Sequence, residues 1–183
     1  MATRVVPAPL AQLPNALTIL RLVAIPVFVV LLLWTDGEGS YALAGLFAAT
    51  ALTDQVDGYL ARRWHVESEF GKFADPLADR LMIDAAVLLL CLDGRLPWIA
   101  LVIVLARDAL LIGGYGLVRD RGYEFSVSTL GKASTWVLYA AITGVIASDE
   151  GTEWPLALFW SGVGLAVLAA AFYVLGAVRT VEE

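Results

Sequence analysis

The sequence predicts an all-α integral membrane protein, about six transmembrane helices in one bundle, with its functional site at the cytoplasmic side. Three observations carry this. Of the 183 residues, 60% are hydrophobic and the mean hydropathy is +0.77, more apolar than a soluble domain of this size. The apolar residues gather into stretches near 15–34, 40–62, 73–93, 97–117, 128–147 and 154–177, each close to the roughly 20 residues that span a bilayer. The basic residues cluster at alternate ends of those stretches.

In chain order, Met1 to Pro14 reads as a short cytoplasmic juxtamembrane segment, interrupted by Pro7, Pro9 and Pro14 and unlike a signal peptide. Residues 15–178 form the six-helix domain and 179–183 a short cytoplasmic tail. Lipid offers backbone groups no hydrogen bonds, and nothing in the chain alternates as a barrel strand does, so each span is helical. The connections Thr35–Ser40 and Ser148–Glu153 are acidic, and Arg95 is the single basic residue on their side. Arg4, Arg62, Arg63, Lys72, Arg80, Arg119, Arg121, Lys132 and Arg179 fall near the opposite span ends. The positive-inside rule therefore predicts a multi-pass protein of the cell membrane with both termini cytoplasmic. Trp34, Trp64, Trp98 and Trp154 flank span ends as interface anchors. Cys91, the lone cysteine, excludes an intrachain disulfide and reads as a small buried hydrophobe. His65 falls in a cytoplasmic loop, a headgroup-facing position rather than a ligand. The net charge of −6 matters less than its distribution, and nucleic acid is not an expected partner.

The most informative feature is a set of four carboxylates, Asp54, Asp57, Asp75 and Asp79, in or beside apolar segments. An ionised carboxylate inside a membrane helix costs roughly 2.5–3.5 kcal/mol on insertion scales, so it marks function more often than structure. Asp54 and Asp57 are i,i+3 neighbours and Asp75 and Asp79 are i,i+4 neighbours, so each pair shares a helix face. A short connection makes the two helices antiparallel, and all four side chains can converge at the cytoplasmic end. Oxygen-only ligands favour Mg²⁺ or Mn²⁺ over zinc or copper. Four carboxylates exceed the needs of one such ion, and a pair of bridged ions suits phosphoryl chemistry. Gly58 and Ala61 leave space beside the aspartates, Arg62 offers a fork of donors to phosphate oxygens, and Gly71 is expected to end the loop before the second helix. Asp84 is turned away from the Asp75/Asp79 face and reads as structural.

The string from Asp54 to Asp79, DxxDGxxARx8GxxxDxxxD, resembles the signature of the CDP-alcohol phosphatidyltransferase family at every defining position. Pro14-Asn15-Ala-Leu-Thr18-Ile-Leu-Arg21 resembles the segment that opens the first span in many members. The resemblance covers nearly the whole chain. It implies a membrane enzyme that transfers a phosphatidyl group from CDP-diacylglycerol to an alcohol and releases CMP. It further implies that Asp54, Asp57, Asp75 and Asp79 bind metal and that Asp79 takes the acceptor's proton. Gly58, Ala61, Arg62 and Gly71 would hold the nucleotide and diphosphate, with Asn15 and Thr18 on the nucleotide side. Members are often homodimers, and small residues from Gly162 to Ala171 would allow close packing.

For the acceptor, Arg107 and Lys132 are the candidate phosphate contacts; the plainer alternatives are an ion pair of Arg107 with Asp108 or Asp84 and a lipid headgroup for Lys132. The stretches Gly71–Arg80 and Leu130–Thr135 resemble the phosphatidylglycerophosphate and cardiolipin synthase branch. Glycerol 3-phosphate is the preferred acceptor, phosphatidylglycerol the second and inositol phosphate the third. A cation transporter is the rival of another class. It is disfavoured because the cluster sits at one end of the bundle and no second half of the chain mirrors it.

Overall fold

A computed structural model describes the backbone of residues 13–35, 38–64, 69–119 and 129–182, and side chains within 16–53, 80–110 and 129–172. Six helices account for it: α1 Leu13–Leu33, α2 Tyr41–Trp64, α3 Glu69–Leu92, α4 Trp98–Arg119, α5 Thr129–Ala147 and α6 Glu153–Glu182. The described residues contain no strand, so the all-α expectation holds. Residues Thr129–Ala147 and Glu153–Phe172 are each long and apolar enough to cross a membrane, and Leu22–Leu33 and Tyr41–Thr53 are shorter apolar stretches.

The helices close into a ring in the order α1, α2, α5, α6, α4, α3 and back to α1, with α3 also touching α2 and α5. Its interior is apolar and draws on every helix, with Phe28, Phe47, Leu90, Ala100, Ile142 and Phe159 all within 1% of complete burial. Phe28, Phe47 and Tyr139 join α1, α2 and α5 through ring contacts at 5.5 and 5.8 Å. The outside is also apolar: Val23, Val27 and Trp34 on α1, Trp98 and Val102 on α4, and Trp154, Leu168 and Phe172 on α6 are exposed. In water such a surface would drive aggregation, whereas lipid is its natural solvent. Hydroxyls inside these helices bond back to carbonyls of the preceding turn, as in Thr50 to Leu46, Thr143 to Tyr139 and Ser161 to Ala157 at 2.7–2.8 Å, which pairs these hydroxyl donors within their own helix.

One end of the ring is tied together by three loops. Ser40 accepts from the Leu43 amide at 3.3 Å and so caps α2. The Ser40 amide reaches Ile146 O at 2.8 Å, and the Gly39 amide reaches Asp149 Oδ1 at 3.1 Å. A Cβ on Gly39 would sit 2.7 Å from the Ser148 carbonyl carbon, so only glycine permits this approach. The α3 helix ends at Gly94 (φ 78°), with Arg95 N bonded to Leu90 O and Gly94 N to Cys91 O, a Schellman turn that glycine allows without strain. Arg95 follows, buried, and its guanidinium donates to Val145 O and Ser148 O at the end of α5. Burial pulls the Arg95 guanidinium below its usual value, and Asp93, Asp149 and Glu150 oppose that shift. Cys91 is buried, with its Sγ 3.5 Å from Pro97 O, in line with its expected packing role.

Local expectations change along α3. The α3 helix starts at Glu69, so Gly71 lies within it rather than at a loop end. A carboxylate at a helix start is favoured by the exposed amides there, which accounts for the extra turn. Arg80 lies midway along α3 rather than near a span end. The α6 helix runs on through Glu182. Residues 1–12, most of the expected juxtamembrane segment 1–14, and the loop holding His65 lie outside the described residues, while Leu13 and Pro14 open α1.

Candidate active site

Asp54 and Asp57 lie on α2, Asp75 and Asp79 on α3. At 1.5 Å rise per residue, Asp54 and Asp57 stand about 20 and 24 Å from the tied end along α2, and Asp79 and Asp75 about 20 and 26 Å along α3. The two pairs are therefore level on antiparallel helices that touch. Gly58, Ala61 and Arg62 continue α2 beyond them, and Gly71 stands farther out on α3. Asn15 and Thr18 lie in the first turns of α1, at the same end of the ring. The side chains of all these residues lie outside the described residues. An all-oxygen donor set at matching heights on adjoining helices fits a hard divalent cation. Among the described residues no group of three or more Asp, Glu, His or Cys side chains forms a metal site.

The two candidate acceptor contacts are described in full. Lys132 is exposed in the first turn of α5, at the carboxylate end of the ring. Arg107 is part of an ion cluster between α3 and α4. Its Nη1 lies 3.0 Å from Asp108 Oδ1, and Arg80 Nη1 lies 2.8 Å from the same oxygen. Asp108 is buried, Asp84 Oδ1 is enclosed with no hydrogen-bond partner, and so is Arg107 Nε. Of the two expected partners of Arg107, Asp108 is the one it meets. The cluster stands about 12–18 Å from the tied end, below the backbone level of Asp75 and Asp79, and forms a charged floor between α3 and α4. Sequence reasoning missed Arg80 and Asp108 as members of one unit. The i,i+4 spacing of Arg80 and Asp84 was the available signal, but it points along α3 and not across to α4.

A ring of apolar helices with level carboxylate pairs at one end and a charged floor beneath them defines a helical membrane protein built for a polar substrate. The sequence model of the family described as CDP-alcohol phosphatidyltransferase matches residues 11–178, and the chain belongs to that family. A "Probable phosphatidylglycerophosphate synthase" of Mycobacterium tuberculosis is 35% identical over 179 residues, covering 95% of this chain and 85% of the relative. The "CDP-diacylglycerol--glycerol-3-phosphate 3-phosphatidyltransferase" of Bacillus subtilis (strain 168) is 30% identical over 179 residues, with 90% of each chain covered. A "Cardiolipin synthase (CMP-forming)" of Streptomyces coelicolor is 39% identical over 158 residues, 83% of this chain and 72% of the relative.

Proposed function

We propose that this protein transfers the phosphatidyl group of CDP-diacylglycerol to glycerol 3-phosphate, giving phosphatidylglycerophosphate and CMP. The observation that carries the reading is the full-length similarity to relatives named for that reaction, at 30–35% identity, in a chain whose four aspartates keep the family spacing. The protein works as a six-span bundle of the cell membrane with both termini and the site on the cytoplasmic side, as a homodimer among membrane lipids. The basic residues around Arg62, Lys72 and Lys132 at the site end, against the acidic loops at the tied end, support that orientation.

Asp54, Asp57, Asp75 and Asp79 would hold two Mg²⁺ or Mn²⁺ ions. Bound there, the ions neutralise the diphosphate and stabilise the charge of the departing CMP. Gly58 and Ala61 leave room for the nucleotide, with Asn15 and Thr18 beside it and Gly71 closing the diphosphate side. Arg62 forks onto phosphate oxygens. Asp79 accepts the proton of the acceptor hydroxyl as its oxygen bonds to the β-phosphorus, and the phosphorus–oxygen bond to CMP breaks in the same displacement. An aspartate ionised at neutral pH needs position more than a raised pKa for this task. Lys132 neutralises the acceptor's phosphate, and Arg107, the other candidate contact, stays paired with Asp108. Holding the lipid tails in the bilayer and the headgroup at its edge explains a polar site on membrane helices.

A second reading is a cardiolipin synthase with phosphatidylglycerol as acceptor, favoured by the Streptomyces coelicolor relative. A phosphatidylinositol-phosphate synthase ranks third. The test is CMP release by the purified protein with CDP-diacylglycerol and Mg²⁺ or Mn²⁺, with the acceptors offered side by side. Faster release with glycerol 3-phosphate supports the proposal; faster release with phosphatidylglycerol moves it to the second reading. No release with any acceptor, together with cation flux in proteoliposomes, would overturn the transferase.

A further inference from the structure

We infer that Asp108 is a positioning residue for the carboxylate site. By holding the Arg80 guanidinium between α3 and α4, it keeps that cation away from Asp79 and Asp75 and leaves them to the divalent ions. The inference rests on the metal reading given above. Arg80 directly follows Asp79 on α3. Helical side chains lean toward the helix N-terminus, which for α3 is the end that carries Asp75 and Asp79. A long guanidinium so placed would find those carboxylates within reach, and an ion pair there competes directly with a metal ion.

The geometry shows where the cation goes instead. Arg80 Nη1 lies 2.8 Å from Asp108 Oδ1, and Arg107 holds the same oxygen from its own helix at 3.0 Å. The Asp108 side chain is 8% exposed against 31% for Arg80, and Arg80 Nη1 is itself enclosed with no hydrogen-bond partner, so the ion pair with Asp108 is what holds it there. The charges of Arg80, Arg107, Asp84 and Asp108 cancel, as a buried membrane cluster requires. Without Asp108, two guanidinia face Asp84 alone. Asp84 keeps a buried Oδ1 with no partner and can satisfy one of them. The other is left to seek a counter-charge, and the residue next to Arg80 in the chain is Asp79.

The test is direct Mn²⁺ binding to the full-length protein in detergent without substrate, read as loss of the free-Mn²⁺ electron paramagnetic resonance signal. In the monodisperse fraction, Asp108→Asn is expected to weaken Mn²⁺ binding about tenfold, the effect of one unit charge brought to contact distance in a partly wet site. Arg80→Gln/Asp108→Asn should restore binding to within about twofold of the parent, and Asp108→Glu should keep most of it. If Asp108→Asn does not fold, Arg80→Gln alone still decides, because it should bind Mn²⁺ at least as tightly as the parent. A purely structural role would lower the yield of folded protein and leave the affinity of the folded fraction unchanged, which would overturn the inference. Weakening that Arg80→Gln does not relieve would overturn it equally. Parent protein that binds no Mn²⁺, or binds it equally after Asp57→Asn, would overturn the metal reading and this inference with it. Parent binding that is lost in Asp57→Asn but unchanged in Asp108→Asn would sink this inference alone.

Discussion

Replacing Arg95 by methionine tests what holds the closed end of the bundle. Arg95 is 7% exposed, and its guanidinium is the donor to two carbonyls, Val145 O and Ser148 O, where α5 ends. Methionine fills similar space and donates nothing, so both carbonyls lose this donor in a partly buried site. Hydrogen bonds to a charged group contribute roughly 1.5–3 kcal/mol each, and two therefore give about 3–6 kcal/mol. Part is returned because the buried guanidinium is itself poorly solvated: its Nη1 has no partner and burial already lowers its pKa. A net loss of about 3 kcal/mol follows, or roughly 6–12 °C in Tm for a chain of this length. The molecule carries its own reporter. Cys91, the one cysteine in the sequence, is buried, so a thiol-reactive fluorogenic dye follows unfolding in detergent. Mn²⁺ binding by the folded fraction should not change, because the carboxylates stand about 20 Å away along the helices. A Tm within about 2 °C of the parent, or weakened Mn²⁺ binding at unchanged Tm, would refute the assignment of Arg95 as a local clamp.

Other expectations can be checked on the same material. Gly39→Ala puts a Cβ 2.7 Å from the Ser148 carbonyl carbon and 2.8 Å from Ala147 O; the backbone must part, and the same dye assay should show a Tm several degrees lower. Phe47→Ala empties the centre of the Phe28–Phe47–Tyr139 contact and should cost about 3–5 kcal/mol in reversible unfolding. Asp79→Asn should lower CMP release by about 10²–10⁴-fold with little change in Tm, since a repelled carboxylate is being removed. A chelator should abolish release and added Mn²⁺ should restore it. Lys132→Gln should raise KM for glycerol 3-phosphate by several-fold with kcat nearly kept, a split measurable in the CMP assay.

What the sequence made legible follows from the length scale of each signal. Apolar runs of about 20 residues are local, so all six helices could be placed from hydropathy, with ends shifted by only a few residues except at α3 and α6. The level placing of the two aspartate pairs on touching helices was legible for the same reason. Each pair is set by spacing on a single helix, and a short connection forces the two helices to run antiparallel. Arg80 and Asp108 are 28 positions apart, and their contact depends on how α3 and α4 are rotated about their axes when they meet. No periodicity encodes that rotation. The ties at the closed end are hidden in another way. Gly39, Ser40, Arg95 and Asp149 come from three different loops, and each loop taken alone reads as an ordinary turn. The acidic composition of those loops entered only the expected orientation, while the one basic residue among them, Arg95, donates to two carbonyls at the end of α5. In a helical membrane chain, then, local periodicity fixes the elements, and the buried charges that must find partners across helices fix their rotation. The cluster beneath the aspartates is where that second rule governs the proposed chemistry, because the cation that could occupy the site is covalently next to it and is held elsewhere.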